Sequence, residues 1–316
     1  MRLIVNIPAF NEEKTLGSVI KKVPREIEGF DEVLVQVIDD GSRDGTAEVA
    51  KVAGAEIVVR HPRNMGVGAA FKTAVETALA NGADVMVNID ADGQFPAGEI
   101  PKFTELILAS KADMVVASRF GIKSAKNMPW IKNFLNRLAA NIIGKFLRYK
   151  IEDLTCGFRA LNRETMLRLN LSYRFTYTQE TIIDAVAKGL IVKWIPVEVT
   201  YFKDRESKVV KSVSQFIVQS FMIILRTVRD ARPLMFFGVP GVVLITMALA
   251  IGLAFLEFYF VHFKVSPFRT WLMLAGVLLL IGIQLLIFAL IADMIRSNRR
   301  LTEEQMYFLK KEKYKK

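Results

Sequence analysis

Through the first two-thirds of the chain, short apolar runs alternate with segments of helical period. Runs at 3–7, 33–38, 56–59, 85–89, 113–117 and 192–199 predict strands. Segments at 14–23, 46–53, from the glycine-rich turn 64–68 to about 80, at 99–109 and at 180–188 predict helices between them. That alternation implies βαβ units and a mostly parallel sheet covered by helices on both faces. Ligands of such sheets bind beyond the carboxyl ends of the strands. The loops in question, 8–13, 39–46, 61–68 and 90–96, are rich in Asp, Asn, Gly or Arg. Polar chemistry is therefore expected along one sheet edge.

The pattern then changes. Between 123 and 150 the chain has seven basic residues and no acidic one. Ile131, Phe134, Leu135, Leu138, Ile142 and Phe146 recur at helical spacing. This suits a helix at about 125–148 lying on an anionic membrane surface, with Trp130 at the interface. An amphipathic helix packed on the sheet gives the same pattern. Val213, Phe216, Ile217, Phe221 and Ile224 form a second stripe, in an expected juxtamembrane helix at 212–232. Two uncharged stretches follow, 234–256 and 270–292, each long enough to cross a bilayer core. Arg226, Arg229 and Arg232 precede the first, and Arg296, Arg299 and Arg300 follow the second. The positive-inside bias then predicts a two-span hairpin over 233–295 in the cell membrane, with the sheet-forming part (1–211) and both termini cytoplasmic. The tail, 296–316, has eight basic and three acidic residues and reads as a solvated segment hugging the membrane.

Composition sharpens this picture. Net charge is +11 and 52% of the residues are hydrophobic. The basic excess sits beside apolar stripes and spans, so it points to a membrane rather than to nucleic acid. The single cysteine, Cys156, excludes an internal disulfide and reads as packing. With only His61 and His262, a histidine metal site or a Ser-His-Asp triad is nearly excluded. The first apolar run stops at Pro8 and meets Glu12-Glu13, which is not the pattern of a signal peptide.

Asp90-Ala91-Asp92 ends the run at 85–89. Carboxylates two apart on an extended chain face one side and can share a hard divalent cation. Alone, the pair reads equally well as a turn cap. Three further motifs accompany it: Ile7-Pro8-Ala9-Phe10-Asn11-Glu12-Glu13, Asp39-Asp40-Gly41-Ser42-x-Asp44-Gly45-Thr46, and Asn64-x-Gly66-x-Gly68. In this order, over about 1–210, the set resembles the family 2 inverting glycosyltransferases of GT-A fold. Ser118-Arg119 and Asp153-x-x-Cys156-Gly157-Phe158-Arg159 look like its polyprenyl-phosphate branch, typified by dolichyl- and undecaprenyl-phosphate glycosyltransferases.

The resemblance implies an α/β fold with a Rossmann-like, mostly parallel mixed sheet. It implies a UDP- or GDP-sugar donor held by Pro8, Phe10, Glu12, Asp39, Asp40 and Gly68 together with Asp90, Ala91 and Asp92. Mg²⁺ or Mn²⁺ on Asp90, Asp92 and Gln94 would serve the donor diphosphate. Arg205 and Lys208, in Asp204-Arg205-Glu206-Ser207-Lys208, match the family's diphosphate-closing loop but depart from it in spacing and lack its glycine. A polyprenyl phosphate is already anionic near pH 7, so it needs cationic binding rather than a general base. Ser118, Arg119, Arg159 and Arg137 are the candidates for its phosphate. Asp90, Asp92 and Arg119 are the expected catalytic residues. Glu180 falls where hydroxyl-using relatives place a base and is expected to be structural or acceptor-lining. A hydroxyl-directed synthase lacks support, because no Gln-x-x-Arg-Trp motif occurs between Thr200 and Arg232. Intact Asp90, Asp92 and Gln94 speak against a silent nucleotide-sugar binder. A homo-oligomer is compatible with the sequence.

Overall fold

A computed structural model describes residues 1–120, 130–170, 177–199 and 232–315, with positions 222, 225, 226, 229 and 230. The chain divides into two compact units, Met1–Ser220 with Gln305–Lys316, and Phe221–Glu304.

In the first unit seven strands form one sheet: β1 (Arg2–Ala9), β2 (Glu32–Asp39), β3 (Ile57–Arg60), β4 (Val85–Asn88), β5 (Met114–Ser118), β6 (Arg159–Asn162) and β7 (Val192–Pro196). Their order is β3-β2-β1-β4-β6-β5-β7. All pairs are parallel except those of β6, which runs antiparallel to β4 and β5. Helices α1 (Leu16–Lys21), α2 (Thr46–Val52), α3 (Val67–Ala80), α4 (Ile100–Leu108), α5 (Trp130–Leu147), α6 (Arg163–Arg168) and α7 (Thr178–Ala187) complete the unit's described elements up to residue 199. The predicted strands are all present. The sequence reading missed β6, whose four residues, Arg-Ala-Leu-Asn, show no apolar alternation. Leu3, Ile4, Val5, Ile7, Val85, Met86 and Val87 are fully buried, as strands covered on both faces require.

Two elements differ from expectation. The second long helix does not end near 292, because α9 (Arg269–Lys313) runs 45 residues without a break. Its last turns, though mostly exposed, are also bonded to α6 and the residues just after it. The Tyr307 hydroxyl donates to Glu164 Oε2 (3.1 Å), and Lys310 Nζ donates to Leu169 O (2.7 Å). Arg168 lies 4.8 Å from the centroid of the Tyr307 ring. Residues 307, 310 and 314 share one helical face, and Tyr314 O accepts from Arg163. The basic composition of this segment is thus used partly in hydrogen bonds within the catalytic unit.

In the second unit, α8 (Pro233–His262) and most of α9 are apolar. Both are long and apolar enough to cross a membrane, and most of their apolar surface is exposed. They meet through small residues: a Cβ at Gly282 would lie 2.6 Å from Ile245 Cγ1. Van der Waals packing of small residues is how helices associate where no hydrophobic drive separates them from their surroundings.

Candidate active site

The strand-end loops converge as predicted. Asp39 closes β2, and its Oδ1 accepts from Ser42 N (2.9 Å). Its Oδ2, 3.2 Å from Arg60 Nε, is buried and receives no hydrogen bond. Phe10, Asn11, Gly41, Ser42, Arg43, Arg60 and 61–64 line an adjoining cavity of about 400 Å³. Asn11, at φ +54, bridges the loops, since its N–H donates to Ser42 Oγ and its Oδ1 accepts from Arg43 N. Glu12 is buried and accepts from Thr15 Oγ1 (2.8 Å) at the start of α1. Pro8 and Phe10 are half-buried beside it.

Asp40 is tied into the neighbouring loop. Its Oδ1 faces His61 Nδ1 (2.7 Å) and accepts from Met65 N (2.9 Å), while Oδ2 accepts from Gly66 N (2.9 Å). Both oxygens are thus engaged in shaping the turn that opens α3, where Gly68 is buried. Asp40 thus shapes the loop at 61–68.

Beyond β4, Asp92 Oδ1 accepts from Gln94 N (3.0 Å), which bends the chain back. Asp92 and Gln94 line a second cavity, of about 1460 Å³, with Glu12, Lys14, Lys102 and Glu198. Asp90 and Ala91 lie inward of them, Asp90 half-buried and Ala91 buried. Burial, then the Asp92 charge, pushes the Asp90 carboxyl up to about 7; Arg159 and Arg119 oppose this. Among the described residues no three His, Cys, Asp or Glu side chains form a metal cluster. A cation here would therefore draw ligands from Asp90, Asp92, the Gln94 amide and its substrate.

Ser118 and Arg119 end β5. Ser118 is buried and its Oγ accepts from Phe120 N (3.4 Å). The Arg119 guanidinium grips Asp153 at both oxygens: Nε to Oδ2 and Nη2 to Oδ1, each 2.8 Å. Asn136 Nδ2 of α5 donates to the same carboxylate (3.0 Å). Burial pulls the Asp153 carboxyl upward, but Arg119 and the hydrogen bonds from Thr155 and Asn136 hold it below the usual range. Arg137, exposed on α5, lies 5.3 Å from the centroid of the Phe120 ring, and Arg119 lies 5.9 Å from it. Two cations thus flank one aromatic ring.

Arg159 is a correction. The resemblance implies a contact with the acceptor phosphate. The residue lies instead on β6, 0% exposed, with its Cα partnered to Asn88 and Val116. Nη1 donates to Thr178 O and Thr181 Oγ1, and Nη2 to Cys156 O. Burial lowers its pKa from the ordinary arginine value. Cys156 packs as predicted, its thiol pushed up to about 12 by burial. Arg205, Lys208 and most of the expected juxtamembrane helix lie outside the described residues. The sequence reading also missed Asn6, Gln36, Asn88 and Tyr177, all buried. Asn6 and Asn88 interrupt apolar runs, a signal that could have found them. Tyr177 lies on no recognisable motif.

With this geometry in view, comparison with known proteins is informative. The model of glycosyl transferase family 2 matches residues 4–168, just over half of the chain. The chain is 30% identical over 311 residues to glycosyltransferase AglJ of Haloferax volcanii, covering 95% of this chain and 94% of that one. It is 29% identical to the polyprenol monophosphomannose synthase of Mycolicibacterium smegmatis, over 66% of this chain and 80% of that protein. The fold matches the UDP complex of glucosyl-3-phosphoglycerate synthase from Mycobacterium tuberculosis (TM-score 0.56, 21% identity, 73% and 79% of the two chains). The seven-stranded mixed sheet, the strand-end loops and the family match agree: this chain is a glycosyltransferase and belongs to glycosyl transferase family 2.

Proposed function

We propose that the chain transfers a sugar, with inversion, from a nucleoside diphosphate sugar to a polyprenyl phosphate at the cytoplasmic membrane face. The observation that carries this reading is the nearness of two opposite charges. Arg159 first, then Arg119, oppose by their charge the upward shift of the Asp90 carboxyl, and Arg119 and Arg137 share the Phe120 ring. Carboxylates suited to a cation thus adjoin arginines suited to a phosphate.

Asp39, Phe10 and the cavity beside them suit a nucleoside. Asp90, Asp92 and the Gln94 amide fit Mg²⁺ or Mn²⁺, since oxygen ligands in this number leave room for diphosphate oxygens. A bound divalent cation offsets the charge growing on the departing nucleoside diphosphate. Arg119, braced by Asp153, holds the incoming phosphate without loss of its own proton, because arginine stays charged. The phosphate oxygen attacks the anomeric carbon directly, the bond to the diphosphate oxygen breaks, and no proton has to be removed by the protein. The names of the relatives support a polyprenyl phosphate acceptor. The length and exposure of α8 and α9 support a membrane anchor. The exposed Phe134, Leu138 and Ile142 of α5 support an interfacial seat.

The test is direct. Purified protein is incubated with Mg²⁺ or Mn²⁺, a panel of radiolabelled nucleotide sugars and a polyprenyl phosphate. Labelled lipid is expected with at least one donor. Label on a sugar hydroxyl with none in lipid would refute the acceptor.

A further inference from the structure

A row of polar side chains crosses the middle of an otherwise apolar sheet. Gln36 on β2, Asn6 on β1, Asn88 on β4 and Arg159 on β6 are mutual register partners. All four are 0% exposed. Buried amides are costly unless hydrogen-bonded, and aliphatic residues serve the neighbouring positions on β1 and β4. Such a row asks for a purpose other than packing.

The side-chain donors run along the row toward β6, apart from a second bond from Gln36 Nε2 to Ala74 O (3.0 Å). Gln36 Nε2 donates to Asn6 Oδ1 (2.9 Å), and Asn6 Nδ2 donates to Asn88 Oδ1 (2.7 Å). Asn88 Nδ2 donates to Gly157 O (3.1 Å) and to the Tyr177 hydroxyl (3.0 Å). That hydroxyl donates in turn to Gly157 O (3.4 Å). The Tyr177 ring is stacked on Phe71 with centroids 4.0 Å apart, and Arg159 lies 5.1 Å from its centroid. The row therefore ends on one carbonyl, that of Gly157. A Cβ at Gly157 would lie 2.7 Å from Asp90 Oδ1 and 2.8 Å from Oδ2. The Gly157 backbone is the wall against which the Asp90 carboxylate rests.

We propose that Asn88 and Tyr177, fed by Asn6 and Gln36, are positioning residues that fix the Asp90 carboxylate in its cation-holding orientation through the Gly157 backbone. This rests on the reading of Asp90 as a cation ligand. Outer-shell groups that orient a ligating carboxylate typically alter metal affinity about 10–100-fold when removed.

The test uses the full-length protein in detergent and Mn²⁺ alone, with free Mn²⁺ read by electron paramagnetic resonance and unfolding read by heat. Tyr177→Phe is expected to weaken Mn²⁺ binding about tenfold while the protein stays folded. Gly157→Ala leaves the row intact but crowds Asp90, and is expected to weaken binding at least as much. Asp90→Asn separates the two layers of the argument. If it abolishes binding while Tyr177→Phe and Gly157→Ala both bind as the parent does, the positioning role is wrong and the ligand role stands. If Asp90→Asn binds as the parent does, the ligand role fails and the positioning role falls with it. Should Tyr177→Phe not fold, Gly157→Ala alone decides, unchanged affinity overturning the proposal.

Discussion

The end of β5 and the start of β6 each present an arginine, on neighbouring strands, and the two have opposite fates. Arg119 leaves the sheet, retains 12% side-chain exposure and is held by the buried carboxylate of Asp153. Arg159 stays within the sheet, with carbonyl and hydroxyl partners. The difference lies in strand direction. β6 is antiparallel, so its first residue faces the site edge, but its register sets Arg159 beside Val116, two positions short of Ser118. A motif records that an arginine is present, whereas register decides whether it reaches solvent. A guanidinium at a strand end can touch a ligand, whereas one two residues lower acts on the site by its charge and its buried bonds.

The largest effect should separate the edge from everything beneath it. Asp92→Ala is expected to lower turnover about 10³-fold or more, because charge compensation at a leaving group is among the largest catalytic contributions. Initial rates of labelled-lipid formation check this, and near-normal rates would remove the cation from the mechanism. Next in size is the contrast of the two arginines. Arg119→Ala should cut kcat/KM for the lipid phosphate about 100-fold, with a smaller change in donor KM. Arg119→Lys should fall between, since it keeps charge but loses the two-pronged grip on Asp153. Arg159→Met should leave acceptor KM within about threefold and instead lower stability by about 3 kcal/mol, roughly 6–12 °C in Tm for a unit of this size. If Arg159→Met selectively raised acceptor KM, the contrast drawn from the sheet would be inverted.

That contrast also marks how far the sequence was legible. Six strands and most helices could be read because apolar runs and 3.6-residue periods reflect burial directly. Asp90, Asp92 and Asp39 could be read because strand ends in a parallel sheet share an edge. β6 could not, since four residues beginning with arginine leave no periodic trace. The bonds of Asp40 could not be read, because a carboxylate that binds a ligand and one that bonds the amides of Met65 and Gly66 look alike before the loop is folded. Tyr177 was invisible for the same reason: its importance arises from Phe71, Asn88 and Arg159, each distant in sequence.

A pH titration gives an intermediate effect. Burial and Asp92 raise the Asp90 carboxyl to about 7 in the absence of a cation. A cation ligand must be deprotonated, so below pH 7 binding has to release a proton. The apparent Kd for Mn²⁺ should therefore rise up to about tenfold per pH unit on acidification from 7 and change little above it. Arg119 lowers the Asp90 value, so Arg119→Gln should move the midpoint upward. A midpoint unmoved by that change would mean that Arg119 and Asp90 do not sense each other, and the nearness of acceptor and donor charges would lose its support.

The smallest effect concerns Phe120, which lies between Arg119 and Arg137. Cation–π contacts at partly exposed sites are worth about 0.5–1 kcal/mol each. Phe120→Leu keeps apolar bulk and removes only the ring, so loss of both contacts should raise KM for the lipid phosphate about five- to thirtyfold if each acts at full strength. Arg137 is exposed and free to adopt other rotamers, which favours the lower end, about fivefold. Arg119 keeps its two bonds to Asp153, so kcat should change less than KM. The double variant Phe120→Leu with Arg137→Ala then discriminates between two pictures. If the ring orients Arg137, the double variant should be little worse than Arg137→Ala alone. If the losses simply add, the ring serves Arg119 only, and the acceptor site holds one braced arginine instead of a pair.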